Sequence, residues 1–376
     1  MFKLYRVYLA SSFVLPLVVS TIFFVVFLLT FELFRIMQLM SSSDVSFSFI
    51  FSMIVDLSVT LIPMALPLSV FFSTIFCIGR ISGDSEYIAL RSFGVTKFKI
   101  LIPFLAIAFL TAVNTFFVTQ ELVPNAHRNL RRKINIISSA SLIQGIKSGQ
   151  FFTTIPNVTM FPQKVDSKTN DLDDVFLQIY DPSKKEEKVI KAKRGKIIHE
   201  KDESTGLETF KLLLMDGNIS SRSQSENLEK VLFKEYSLPI SSKRFSYTPS
   251  TKEIMMDGGE LMSFINDGLE SALKKGFKKK LYVNAIYEYW NRINAPILII
   301  VFTFLGFSLG VKATRSRGQN SGSKAILSLV AYYALYFGFV SLGKSQSIPM
   351  PIAVMLPTIL LFLYSLKKYR KLDWQS

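Results

Sequence analysis

Long apolar runs crowd both ends of the chain, and a polar middle, residues 121–284, separates them. A helix that crosses a bilayer needs about 20 mostly apolar residues. Three runs before the polar middle qualify, roughly 12–34, 51–78 and 100–118, and three after it, roughly 295–311, 325–342 and 348–366. The first is too long for a signal-peptide core, lacks a small-residue cleavage site and is followed by further spans. Inside the polar middle the pattern changes. Runs such as 175–180, 188–193 and 210–215 mix β-branched, aromatic and aliphatic residues, with Asp181-Pro182-Ser183, Gly206 and Asp216-Gly217-Asn218 as the turns between them. Short strands at this spacing predict a sandwich or jelly roll. A basic helix is expected over 123–133 and an amphipathic one over 259–275. The expected fold is therefore a membrane α-helical protein of six transmembrane helices, three and three, with an inserted all-β jelly-roll-like domain. Residues 1–122 hold the first three spans, 123–284 the β domain with flanking helices, and 285–376 the last three spans and a basic tail.

Composition agrees with a protein that is part bilayer and part water: 49% of the 376 residues are hydrophobic, 34 of them Phe, and mean hydropathy is +0.33. The net charge of +16 suggests nucleic acid until it is located. The polar middle carries 27 Lys and Arg against 21 Asp and Glu, so most of the surplus lies in short segments beside the spans. Lys3, Arg6, Arg80, Arg91, Lys97, Lys99, Lys312, Arg315, Arg317, Lys324, Lys367, Lys368, Arg370 and Lys371 fall on one side. The short loops of the other side offer Arg35 and Lys344. This asymmetry predicts cytoplasmic termini and a polar middle on the outer side of the membrane, and it argues against nucleic-acid binding.

Several chemistries are excluded. No G-x-x-x-x-G-K-[ST] loop is present, so the chain has no phosphate-cradling nucleotide motif of its own. The single Cys77 permits no internal disulfide. His127 and His199 have no companions at metal-ligand spacing, and no metal or cofactor is expected. Gly306-Phe307-Ser308-Leu309-Gly310 fits the hydrolase elbow G-x-S-x-G, but it lies in an apolar span with no His after it. Two glycines four apart are expected instead to let another helix approach closely.

The stretch GRISGDSEYIALRSFG, residues 79–94, is polar between two spans. Asp84 or Ser85 can cap a short helix, Glu86 suits its first turn, and Gly94 can end it. Tyr87, Ile88, Leu90 and Phe93 give it an apolar side, and Arg91, Lys97 and Lys99 make it basic. Such a helix lies either on lipid headgroups or against a protein partner, and acids at 84 and 86 fit an anionic membrane surface poorly.

The run LIPMALPLSVFFSTIFCIGRISGDSEYIALRSFG, residues 61–94, resembles the permease family of lipopolysaccharide export, LptF and LptG. The resemblance includes Pro63 and Pro67, Gly79-Arg80, and Ser85-Glu86 followed by Ala89-Leu90-Arg91 and Gly94. It continues through Gly149-Gln150-Phe151, Glu288 with Arg292 and Pro296, Gly306 with Leu309-Gly310, and Pro349 to Pro357. Residues 149–151 and 174–177 lean towards LptF, while the remaining outer domain is lysine-rich and matches weakly.

The resemblance implies a permease subunit of an ABC transporter that extracts lipopolysaccharide from the outer leaflet of the inner membrane. It implies as partners a cytoplasmic LptB-like ATPase dimer, an LptG-like second permease, and LptC-like and LptA-like bridge proteins. Residues 84–93 would form the coupling helix, with Asp84, Glu86, Tyr87, Leu90 and Arg91 at the ATPase contact. Arg35 and Arg292, each expected near the outer boundary, would bind lipid phosphate or serve as interfacial anchors. Phe151, Phe152, Phe161, Phe176 and Ile179 would line an acyl-chain path or pack a core. Two rivals compete with this reading. A secondary transporter would need ionisable groups at bilayer depth, and Asp56 is the clear acidic candidate. A membrane-anchored β-domain scaffold would need only one span.

Overall fold

The computed structural model describes residues 2–40, 46–144, 146–153, 158–166, 171–181, 186–201, 208–222, 228–240, 253–311 and 321–372. They divide into two compact units. One comprises Met1–Phe34, Phe51–Leu130 and Thr251–Ser376, the other Arg35–Ile50 and Arg131–Ser250.

The first unit is helical. Its elements are α1 (Phe2–Met40), α2 (Phe47–Gly83), α3 (Glu86–Ser92), α4 (Lys97–Phe117), α5 (Val123–Gln144), α6 (Gly258–Asn266), α7 (Gly268–Lys274), α8 (Lys279–Gly310), α9 (Ser321–Lys344) and α10 (Met350–Lys371). The unit boundaries fall within α1, α2 and α5. A π-helical turn, Val118–Leu122, joins α4 to α5. Among the described residues, six helical segments are long and apolar enough to cross a membrane: Tyr5–Phe34, Phe47–Gly83, Lys97–Ile134, Lys279–Gly310, Gly322–Lys344 and Met350–Lys371.

Residues 123–130 and 253–284 belong with the spans, whereas the sequence pattern assigns them to the β domain. Polar contacts account for the difference. Arg128 pairs with Glu260 and donates from Nε to the Met255 carbonyl at 2.6 Å. Glu260 also completes a capping box with Asp257 at the start of α6. The helix expected over 259–275 is two helices, because Gly268 takes φ +80° at the start of α7.

Gly306 and Gly310 lie where α8 meets α2. A Cβ on Gly306 would come within 2.9 Å of the Phe71 carbonyl and of Thr74, and one on Gly310 within 2.9 Å of Ile78. The absence of a side chain lets these backbones approach, as expected from the spacing.

The second unit holds one antiparallel sheet of β1 (Val158–Asp166), β2 (Asp171–Asp181), β3 (Glu186–Lys201), β4 (Glu208–Arg222) and β5 (Leu228–Ile240), in the order β1-β2-β3-β4-β5. Among the described residues this is a meander, without the crossover of a Greek key. The expected turn at Asp216-Gly217-Asn218 lies inside β4 and pairs with β3 and β5 on both sides. Asp216 takes φ 53° there, yet the register on both sides of it is unchanged, so its left-handed backbone marks a local break in the pleat and not a chain reversal. The expected turns at Pro182-Ser183 and Gly206 lie outside the described residues.

That break in the pleat belongs to a line crossing the whole sheet. In β2 the buried positions are 172, then 175, 177 and 179; in β3 they are 190 and 192, then 195 and 197. In each case the alternation shifts by one residue. The shift falls at 163–164 in β1, 173–174 in β2, 193–194 in β3, 215–216 in β4 and 234–235 in β5. These positions are in register across the ladder. Each strand therefore has two successive residues turned away from the core at the same level. The same apolar face continues on both sides of the line, contributing Leu172, Ile197 and Leu212 on one side and Val175, Leu177 and Ile190 on the other to one cluster. Charges of opposite sign meet across the strands there, with Arg194 Nη2 3.3 Å from Asp216 Oδ2.

Candidate functional site

α3 emerges at the end of the helical unit where α1 begins and α10 ends. Gly83 closes α2, Asp84 N bonds to the Arg80 carbonyl at 2.9 Å, and Ser85 turns the chain with φ 64°. The side chain of Ser85 makes no cap. Its carbonyl accepts from Ala89 N at 3.0 Å, so the reversal is made by the backbone and not by the Asx or Ser cap the sequence suggests. Gly94, at φ +78°, ends α3 as expected, with its N–H bonded to the Arg91 carbonyl at 3.0 Å.

The predicted apolar side of α3 divides in two. Tyr87 is buried, its ring centroid 6.5 Å from that of Phe307, and Leu90 packs on the same cluster as Leu9, Phe13, Ile81 and Phe104. These two side chains, three apart, hold α3 onto the bundle. Ile88 and Phe93 are turned outward, Phe93 being 83% exposed. Asp84 is exposed, and Glu86 and Arg91 are half-buried. The structure supplies Glu86 with a partner that the sequence does not suggest: Tyr8 Oη of α1 donates to both carboxylate oxygens, at 3.1 and 3.2 Å. The seat is reinforced by Lys97, whose Nζ donates to the Tyr369 carbonyl at 3.0 Å and lies 4.4 Å from that ring's centroid.

The other end of the helical unit is built differently. Arg292 lies 18 residues before the end of α8, about 27 Å at 1.5 Å per residue. It is not an exposed residue at the end of the helix. Its side chain is 2% exposed and Nε donates to Glu288 Oε1 at 3.0 Å, one turn away. Among the described residues neither Nη1 nor Nη2 has a hydrogen-bond partner. An unmet buried donor costs about 1–3 kcal/mol, and more where it is charged.

Arg292 forms part of the wall of a cavity of about 300 Å³ between α2, α5, α8 and α9. Pro63 and Pro67 of α2 line it, together with Asn291, Asn294, Tyr332 and Tyr336. Tyr336 Oη donates to Asn291 Oδ1 at 2.7 Å, and Thr358 Oγ1 donates to Asn294 Oδ1 at 2.8 Å. Tyr332 Oη lies 3.2 Å from Thr358 Oγ1. A polar layer thus ties α8 to α9 and α10. Nothing in the spacing of these residues announces it, because the partners lie 45 and 64 positions apart.

Arg35 lies in the last turns of α1, and its side chain is outside the described residues. The five proposed acyl contacts separate onto two faces of the sheet. Phe152 and Ile179 are buried in the sheet core. Phe161 pairs across the strands with Phe176 on the opposite face, and Phe151 packs at a tilt against Phe161 with ring centroids 4.8 Å apart. Lys191 Nζ lies 6.0 Å from the Phe176 ring centroid.

Residues 7–370 match the family described as lipopolysaccharide export system permease LptF/LptG. An uncharacterized protein of Rickettsia prowazekii (strain Madrid E) is 23% identical over 163 residues, 43% of this chain and 44% of that protein. The match therefore spans less than half the length of the curated relative.

Proposed function

The chain belongs to the LptF/LptG family of lipopolysaccharide export permeases, and from that premise we propose that it is a membrane subunit of an ABC exporter. It extracts lipopolysaccharide from the outer leaflet of the inner membrane and passes it to a periplasmic bridge. Both termini lie in the cytoplasm and the sheet unit in the periplasm, an orientation supported by the Lys and Arg bias of the short loops. A separate cytoplasmic ATPase dimer hydrolyses ATP, a second related six-helix permease completes the membrane part, and bitopic and periplasmic proteins receive the lipid.

The observation that carries the coupling role is the division of α3 into an inward anchor and an outward face. Glu86 is the coupling carboxylate and meets a basic group of the ATPase, with Asp84 and Arg91 beside it on the accessible part of the helix. Tyr87 and Leu90 act through α3 by fixing it to the bundle, so that force on the outer face reaches α1, α4 and α8. Tyr8 is a positioning residue, since its two bonds aim the carboxylate. Ile88 and Phe93 give the socket an apolar contact. Arg35 and Arg292 contact lipid phosphate. Of the two apolar strips on the sheet, Phe151, Phe161 and Phe176 are accessible to acyl chains as they stand, and Phe152 and Ile179 form the core beneath them.

Mild solubilisation from native membranes, followed by mass spectrometry of proteins and lipids together, tests this reading. The expected result is co-isolation of an ATPase, a second six-span permease and a phosphoglycolipid, with the ATPase lost from Glu86→Ala. Isolation of the chain alone, even after gentle crosslinking, would overturn it.

A further inference from the structure

The cavity beside Arg292 is lined by a buried guanidinium with donors unmet among the described residues. Asn291 and Asn294 each accept a bond through the side-chain oxygen, from Tyr336 and Thr358, which orients the amides and leaves their N–H groups as donors. Glu288, the acid in the wall, is bonded to Nε of Arg292. The end of the guanidinium formed by Nη1 and Nη2 has no partner among the described residues. That end is a flat two-donor fork, matched to two oxygens of one carboxylate or phosphate. A site rich in donors with a charged fork beside it is complementary to an oxyanion. Its volume of about 300 Å³ admits a phosphate group with part of what carries it, and excludes a whole lipid.

We propose that this cavity, enclosed by one chain, takes a phosphate-sized oxyanion through Nη1 and Nη2 of Arg292, with the amides of Asn291 and Asn294 as further donors. Two sources share this chemistry: the phosphomonoester of a lipid headgroup, and free phosphate. The inference rests on the export reading only if the anion is the headgroup of the exported lipid. The bonds that fix Asn291 and Asn294 come from α9 and α10, so bound anion stabilises the packing of α8 against both.

The test uses the full chain in phosphatidylcholine nanodiscs. Inorganic phosphate is titrated against sodium chloride at equal ionic strength while thermal unfolding is followed, and the titration is repeated in discs containing phosphatidic acid. Phosphate should raise the unfolding temperature saturably, and Arg292→Lys, which keeps the charge and loses the fork, should weaken the apparent affinity by roughly tenfold or more. Asn291→Ala supplies the same readout if the lysine variant does not fold. A rise seen only with phosphatidic acid, and sensitive to the same variants, assigns the site to a lipid headgroup. A wild-type response to phosphate no larger than to chloride, with no effect of phosphatidic acid, would overturn the proposal. None of these measurements needs the ATPase or transport, so failure here leaves the export role standing, and failure to isolate an exporter complex leaves the anion response unaffected.

Discussion

The two ends of the helical unit treat polarity in opposite ways. At the α3 end, Tyr87 and Leu90 go inward while Ile88, Phe93 and the charged groups stay accessible, so the helix is a solid part with a readable outer face. At the other end the charge itself goes inward. Arg292 and Glu288 are buried together among asparagines and tyrosines, and the apolar residues Met64 and Phe337 are left on the exposed part of the cavity wall. An accessible charge held by a buried anchor suits contact with another protein. A buried charge with donors to spare suits a ligand, because water has been removed and its loss has to be made good.

The contrast can be broken most severely at the buried pair. Glu288→Gln should destabilise the helical unit by about 3–5 kcal/mol, since it strands Arg292 without a counter-charge. The double change Glu288→Met with Arg292→Met should be far milder. Denaturant unfolding in detergent reads the difference, and equal costs would show that the charge of Arg292 does not depend on Glu288. At the opposite end, Tyr87→Ala should cost about 3 kcal/mol by emptying a buried aromatic site, and limited proteolysis should then cut within residues 84–96. Gly306→Leu should cost about 1–3 kcal/mol through overpacking of α8 on α2, seen as a lowered unfolding temperature in the same detergent. Tyr336→Phe removes one bond to Asn291 and should cost about 1 kcal/mol. The smallest change in stability, within about 0.5 kcal/mol, is expected for Glu86→Gln, yet that variant should lose ATP-driven lipid release in reconstituted vesicles. If it unfolds the chain instead, Glu86 belongs to the anchor and not to the outer face.

What the sequence discloses follows from the range of the forces involved. The spans are legible because a bilayer-crossing helix is specified by local composition alone. α3 is legible because Glu86, Arg91 and Gly94 act within a few residues of one another. The assignment of its faces is not local: Tyr87 goes inward because Phe307, more than 200 positions away, supplies the ring it meets. The pairing of Arg292 with Glu288 is a local i, i+4 contact, but the polar layer beside it depends on α9 and α10. In the sheet, 175–180, 188–193 and 210–215 are correctly extended, while Asp216-Gly217 carries a turn signature into mid-strand. Strand pairing on both sides overrides that local preference, and the left-handed backbone survives as a break in the pleat within an unshifted register.

The line of shifted pleats has a consequence for how this unit can change by insertion and deletion. A strand that lost its one extra residue at the line would have half its side chains facing the wrong way relative to both neighbours. Residues 163–164, 173–174, 193–194, 215–216 and 234–235 are consequently a single inherited length. Loops between these strands can grow or shrink one at a time, but at this level the five strands must gain or lose a residue together.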